Sequence, residues 1–438
     1  MGFFLTLVYI AMALLSPKDL FPALAEYRVE LVVVLAALLF SLPSARERRF
    51  FQIPQVYLLA GLFAAIFMSV TVASYWVVGG LMAVLKFLPA GIVFYLVLLN
   101  CQNLKRMQML VSLLCVIAAY YVVQGSRAYL AADVTSPLLE VIHLSDGTYA
   151  FRMMGLGFLH DPNELAQFLV ALLPLLWIRW RKNRHLQNIF FVLLPTILFV
   201  WGMYLTHSRG GIVALVVIVM LYLKDKVNVG SAAVGGALAL ALLLTLNFSG
   251  GRDVSVQAGS DRLTYWGDGL QMFKQSPLFG VGFLSFAASD FGHTAHNSFV
   301  VCLAELGLVG YAFWVALLAF TIAGLNSLIR EFKKRQNENE EMRENDQGMQ
   351  EDDDLDRWAR AMRVSLGGFL AASFFLSRVY ALPLYLILGL AAVLLYVKSG
   401  DEEPVAQPLW KMIGYSAAMG FSAITLVYAI LRCRSLLT

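Results

Sequence analysis

Charged residues make up only 14% of this 438-residue sequence, against about 25% in an ordinary soluble domain. That shortage argues against a soluble globular enzyme. Cysteine is scarcer still. Cys101, Cys115, Cys302 and Cys433 stand at unrelated spacings with no CxxC pair, so nothing supports a disulfide framework, a zinc site, haem attachment or a redox dithiol. No GxxxxGK[ST] loop is present, and ATP hydrolysis by this chain is not expected. Among the six histidines, His293 and His296 lie close to Asp290, but such spacing is common and assigns no metal. The net charge of +4 is too small to identify a partner. No cofactor and no nucleic acid is expected.

What the sequence has in abundance is apolar side chains, 59% of the total, with a mean hydropathy of +0.71. Runs long enough to cross a bilayer, about 20 residues each, recur from end to end. They are continuous rather than alternating, which predicts helices and not a barrel. The expected fold is a single all-α polytopic membrane domain over residues 1–438, with about 12–13 transmembrane helices. The spans centre on 3–16, 29–43, 56–76, 81–99, 109–125, 163–178, 188–205, 211–223, 229–247, 297–328, 362–377, 382–397 and 412–431. The first lacks the basic flank and cleavage site of a signal peptide and is kept as a span.

Basic residues orient the bundle. Arg46, Arg48 and Arg49, then Lys105 and Arg106, then Arg179, Arg181, Lys182 and Arg184 follow the second, fourth and sixth spans. Lys224 and Lys226 follow the eighth, and Arg330, Lys333, Lys334 and Arg335 follow the tenth. The intervening loops are poor in both residues. The positive-inside rule therefore sets these loops and the N-terminus in the cytoplasm. The last span fits less well, because it would leave Arg432 and Arg434 outside. Residues 126–162 and 247–296 become two long outer loops, the second containing short helices, and 331–361 becomes a polar cytoplasmic loop. Its Glu351-Asp352-Asp353-Asp354 run reads as a solvated linker.

Arginine on the outer side runs against that trend and calls for a reason. Arg209 lies in Thr206-His207-Ser208-Arg209-Gly210-Gly211, where the eighth span begins. Glycine allows close backbone approach, and a helix N-terminus with an arginine beside it suits a phosphate. Arg262 lies in Ser260-Asp261-Arg262-Leu263-Thr264-Tyr265-Trp266, which opens a short helix capped by Ser260 or Asp261. Leu263, Trp266, Leu270 and Phe273 recur at helical spacing and form one apolar face. Pro277 ends that helix, and Phe279-Gly280-Val281-Gly282-Phe283 is a compact turn. This GxG follows no strand and does not signal a nucleotide.

His296 precedes the tenth span, where a neutral imidazole can take a proton from a hydroxyl near neutral pH. His293 reads as an interfacial polar residue. Asp161 and Pro162 cap and start the sixth span, with Asn163 and Glu164 in its first turn. That cluster is structural first, with an acceptor-facing role possible. Arg378, in the turn before the twelfth span, is a further anion contact. Lys86 and Glu305 are charges inside spans, functional candidates by default. Lys86 can instead reach the outer interface, and Glu305 can cap a packing contact.

Three segments stand together: GFLHDPNELAQFLVALLPLL at 157–176, HSRGGIVAL at 207–215, and RLTYWGDGLQMFKQSPLFGVGF with HNSFVVCLAELGLVG within 262–310. In combination they resemble the O-antigen ligase and polymerase superfamily of bacterial inner-membrane glycosyltransferases. The resemblance implies a glycan donor linked to undecaprenyl pyrophosphate, a lipid A–core or other glycan acceptor, and an active site facing the periplasm. It also implies that Arg209 and Arg262 engage the carrier pyrophosphate and that His296 is catalytic. The expected substrate contacts are Arg209, Arg262, Trp266, Asn297 and Arg378. The expected reaction is inverting transfer without a metal, because pyrophosphate is already a good leaving group. A polymerase and a protein O-oligosaccharyltransferase share this chemistry and stay open. A secondary transporter of a small anion such as bicarbonate also stays open, since it accounts for Lys86 and Glu305.

Overall fold

The computed structural model describes residues 1–21, 27–47, 53–143, 149–225, 227–246, 256–288, 293–342, 346–399 and 409–437. The described residues are 81% helical with almost no strand, which makes the chain an all-α polytopic membrane protein. The first half comprises α1 (Gly2–Leu15), α2 (Pro17–Leu20), α3 (Val29–Glu47), α4 (Pro54–Ser74), α5 (Val77–Asn100) and α6 (Leu104–Leu130). A hairpin of β1 (Leu139–His143) and β2 (Tyr149–Met153) follows, antiparallel, with Leu139 opposite Met153. Then come α7 (Pro162–Trp177), α8 (His185–Asn188), α9 (Leu194–Thr206), α10 (Arg209–Lys224) and α11 (Val229–Thr245). The chain ends with α12 (Val256–Gln275), α13 (Ser285–Ala288), α14 (Ser298–Met342), α15 (Asp346–Ser373), α16 (Leu382–Ser399) and α17 (Leu409–Leu437).

Among the described residues, six helices are long and apolar enough to cross a membrane: Pro54–Ser74, Val77–Asn100, Leu104–Leu130, His185–Thr206, Ser298–Arg335 and Trp410–Cys433. This is fewer than the spans read from hydropathy, because several apolar helices are short and α15 is charged along its first half. The 16-residue α7 and α10 reach only about 24 Å at 1.5 Å per residue, short of the ~30 Å hydrocarbon core. The final helix, uncertain from its flanking arginines, meets the length and composition of a span. Tyr311 Oη donates to the Gly420 carbonyl at 2.9 Å and joins it to α14.

Three expected loops are more ordered than hydropathy suggests. Helix α6 continues to Leu130, and the hairpin occupies part of 126–162. Helix α12 starts at Val256, upstream of Ser260 and Asp261. The stretch 331–361 is helical wherever it is described, extending α14 and opening α15. Trp358 and Ala359 there are buried, which a solvated linker would not require. Ion pairs fix this end of the bundle: Arg181 with Asp354 at 3.2 Å, Arg360 with Asp225 at 3.5 Å, and Arg363 with the same Asp225. Side chains of Arg46, Arg48, Arg49 and Arg434, and all of Asp290, lie outside the described residues.

Helix α14 is central, packing on α4, α12, α15 and α17. It is interrupted at Gly307, whose φ of 61° and ψ of −164° are not helical. The interruption frees backbone groups that a neighbouring segment satisfies. Val281 N–H donates to the Ala304 carbonyl at 2.9 Å and Gly282 N–H to that of Glu305 at 3.1 Å. In return, Leu308 and Val309 N–H donate to Pro277 and Leu278 at 2.8 and 3.1 Å. The two backbones touch so closely that a Cβ on Gly307 would lie 2.5 Å from the Leu278 carbonyl carbon. A Cβ on Gly280 would lie 2.3 Å from that of Glu305. The Pro277–Phe283 turn is thus set into the break of α14. Gly307→Ala should destabilise the fold by roughly 2–5 kcal/mol, from a left-handed alanine plus overpacking. The measure is the thermal unfolding midpoint of detergent-solubilised protein, and a midpoint equal to wild type would contradict this clamp.

Candidate active site

The site is built around the turn at 374–381 that joins α15 to α16. Arg378 N–H donates to Ser298 Oγ at 2.7 Å, and that hydroxyl donates to the Leu376 carbonyl at 2.6 Å. Thr294 and Ser377 hydroxyls meet at 2.6 Å. The 293–298 segment carrying His296 is therefore stitched to this turn. Helix α12 reaches it from another side, with Trp266 edge-on to Phe374 at 5.6 Å between ring centroids. Helix α10 reaches it as well: a Cβ on Gly210 would be 3.7 Å from Phe375 Cβ. Arg209 is the first residue of that helix, after its cap Ser208, whose Oγ accepts from Gly211 N–H at 3.2 Å.

Helix α7 completes the surround. Asp161 caps it as its sequence predicts, accepting from Asn163 and Glu164 N–H at 2.7 and 3.3 Å. Glu164 forms an ion pair with Arg378. Beside it sits a residue that hydropathy reading passed over, Arg152 of β2, only 6% exposed. Its guanidinium donates to Glu140 at 2.7 Å, to the Thr206 carbonyl at 3.0 Å and to Asn163 Oδ1 at 3.2 Å. Ser208 Oγ donates to the same Asn163 oxygen at 2.8 Å. Arg152 thereby joins the hairpin, the start of α7 and the α9–α10 turn. The criterion that singled out Arg209, an arginine outside the basic loops, would have found it.

His296 adopts φ 49°, a left-handed backbone that costs a side-chain-bearing residue about 1–3 kcal/mol and needs such surroundings to persist. Burial holds its imidazole below the ordinary histidine range. Arg262 pushes the same way, Asp161 opposes, and Arg378 and His293 add to the lowering. Arg262, Arg378, Asp161 and His296 therefore share one electrostatic neighbourhood. Tyr265, one turn along α12 from Arg262, stacks on His293 with centroids 3.7 Å apart. Its ring lies 6.3 Å from that of His296. His293 also reaches Asp268 at 3.4 Å, through Nε2. Among the described residues, no three His, Cys, Asp or Glu side chains converge closely enough to hold a metal ion.

Two expected substrate contacts have structural surroundings instead of an open face. Asn297 is fully buried and caps α14, its Oδ1 accepting from Phe299 and Val300 N–H at 3.0 and 3.2 Å. Its Nδ2 has no hydrogen-bond partner. Trp266 is 4% exposed and belongs to the α12 face packed on α14 and α15. Leu263, Leu270 and Phe273 share that packing. The two charges inside spans also part company. Glu305 is 2% exposed and accepts from Phe286 N–H at 3.1 Å and from Tyr380 Oη at 2.8 Å. It holds the 283–286 segment and the 374–381 turn to α14. Lys86 is exposed on α5.

The fold and this cluster define a polytopic helical membrane protein with arginines and a histidine of lowered pKa gathered at one end of its bundle. Residues 194–315 match the family model described as O-antigen ligase. The match spans Arg209, Arg262 and His296 and leaves out Arg152, Glu164 and Arg378. No curated protein matches the chain. The match supports a glycosyltransferase of ligase or polymerase type. In labelled-histidine NMR, His296 should titrate below the ordinary histidine range near 6.5, and Arg262→Gln should move its midpoint upward by removing a repelling cation. A midpoint above 6.5 in the wild-type protein would contradict the environment described.

Proposed function

We propose that the protein transfers a glycan from undecaprenyl pyrophosphate to an acceptor hydroxyl, that of lipid A–core, on the periplasmic face of the bacterial inner membrane. The observation that carries this reading is the convergence on the 293–298 segment of α12, whose Tyr265 ring lies 6.3 Å from that of His296, and of the turn that carries Arg378; burial lowers the His296 imidazole, and Arg262 and Arg378 push the same way. Anion-binding cations next to an uncharged base are what transfer from a diphosphate to a hydroxyl requires. Arg209, at the start of α10, joins them as a diphosphate contact. The basic residues at the opposite end of the bundle, Arg181, Arg360 and Arg363 among them, favour a cytoplasmic location for that end and a periplasmic one for the site.

In the reaction, His296 takes the proton of the acceptor hydroxyl as its oxygen attacks the anomeric carbon. The bond from that carbon to the carrier diphosphate breaks, and the electron pair leaves with the phosphate oxygen. Attack from the opposite side inverts the anomeric centre. Arg209 and Arg262 stabilise the charge that develops on the departing diphosphate. Asp161, whose charge reaches His296, steadies the imidazolium that forms. The carrier diphosphate leaves readily without a metal. A transporter reading drew on Lys86 and Glu305, and both have local accounts: exposure on α5 for one, the α14 clamp for the other.

The test is a reconstituted reaction with undecaprenyl-pyrophosphate glycan and lipid A–core, read by gel shift. His296→Ala should lower the transfer rate by 10²-fold or more, on the order expected for a lost general base, at normal membrane levels of protein. Arg262→Lys should impair transfer too, since lysine cannot make the bidentate phosphate contact. Wild-type rates in His296→Ala would remove the proposed base. Extension of the glycan on its carrier, in place of transfer to lipid A–core, would make the protein the polymerase of this chemistry.

A further inference from the structure

The ion pair between Arg378 Nη2 and Glu164 Oε1 sits inside the cluster that the donor diphosphate would enter. Its side chains are 26% and 13% exposed. We propose that Glu164 is an internal counter-anion, which holds Arg378 until the donor diphosphate displaces it and returns to help expel the spent carrier diphosphate. This inference rests on the donor reading above, and both residues lie outside the segment that matches the O-antigen ligase model.

The first support is that the pair is not needed to hold the helices together. One turn further along α7, Gln167 Nε2 donates to the Phe369 carbonyl and to Ser373 Oγ, both at 2.8 Å. Two turns beyond Glu164, the Ala171 carbonyl accepts from Ser365 Oγ at 2.6 Å. Those bonds already join α7 to α15. The second support is that both backbones are fixed independently of the pair. Arg378 N–H is held by Ser298 Oγ at 2.7 Å and Glu164 N–H by Asp161 Oδ1 at 3.3 Å, so exchanging partners requires only side-chain rotation.

The third support is the unused capacity of the arginine. Arg378 Nε is buried and has no hydrogen-bond partner, so one carboxylate leaves its planar fork incompletely used. A diphosphate offers more acceptors and more charge and can fill the fork. Without any anion, a largely buried guanidinium is costly, which gives the cation a reason to keep a resident partner between turnovers. Burial already pushes the Glu164 carboxyl up to about 7 against the lowering pull of Arg378, so with the diphosphate bound it meets a like charge and gives up the guanidinium. When the glycan has left, the same repulsion acts on the carrier diphosphate.

The test uses the full-length protein in lipid nanodiscs, with inorganic pyrophosphate as the probe by calorimetry and donor KM from the transfer reaction. Glu164→Gln should bind pyrophosphate on the order of tenfold more tightly and lower the donor KM. Arg378→Gln should weaken pyrophosphate binding by a similar factor, and the double variant should show no gain over it. The inference is overturned if Glu164→Gln, with a wild-type unfolding midpoint, binds pyrophosphate no better than wild type. It is overturned equally if Arg378→Gln binds as wild type does, which keeps it falsifiable should Glu164→Gln fail to fold. A wild-type protein that transfers glycan while Glu164→Gln gains nothing defeats this inference alone. A wild-type protein that neither binds pyrophosphate nor transfers glycan defeats the donor reading and this inference with it.

Discussion

The Ser298 hydroxyl accepts from one backbone group of the 374–381 turn and donates to another, and the site is arranged around that turn. A buried turn must satisfy its own N–H and C=O groups. This one does so with the start of α14 and the loop before it. Tyr380 closes the far side by donating to Glu305 and by packing its ring on Phe283 at 4.5 Å. Because the turn is fixed on both sides, Arg378 projects from a rigid support. Trp266, Gly210 and Ser298 approach from three different helices, and each brings a charged or titratable neighbour with it.

The residues that carry the family resemblance divide into two kinds. PLFGVGF and AELG are one structural device: the first fills the break that Gly307 makes in α14. Their glycines are where backbone meets backbone with no room for a Cβ. SRGG and the RLTYW segment instead deliver arginines. The device and the arginines are coupled, because the clamp fixes where α12 ends and how it lies against α14. Asn297 belongs with the first kind. Its position beside His296 in the sequence makes it look like a ligand, but its oxygen closes the helix that His296 introduces.

Local features were readable in the sequence. Asp161 as a cap with Pro162 behind it, a helix opening after Ser208, the apolar face of α12 and the membrane class all follow from neighbours a few residues apart. The break at Gly307 was not readable, because glycine in an apolar helix is ordinary until a second segment is known to enter. Hydropathy also misjudged 331–361. Its charge count looks like a solvated loop, yet Asp354 faces Arg181 and Leu355, Trp358 and Ala359 face the core, a division visible only at helical period. Arg152 and the Glu164–Arg378 pair depend on contacts across elements. In the sequence Arg378 is an isolated cation, and nothing near it announces a partner on α7.

Three helix N-termini point into this cluster, those of α7, α10 and α14, capped by Asp161, Ser208 and Asn297. Each contributes a partial positive charge of about half an elementary unit at its end. Together with Arg209, Arg262 and Arg378 they make the end of the bundle strongly positive. Asp161, Glu164 and Asp268 are acidic groups set against that charge, and burial pushes the Glu164 carboxyl up to about 7. The balance has two chemical consequences. A positive field disfavours the protonated imidazole, so an environment suited to an anion also holds the His296 imidazole toward its uncharged form. Once His296 is protonated, the same field favours departure of that proton, and only Asp161 among the groups whose charge reaches the ring opposes it. Anion affinity and the protonation state of the base are therefore one electrostatic property of the scaffold, set by how the helices end as much as by the arginines themselves.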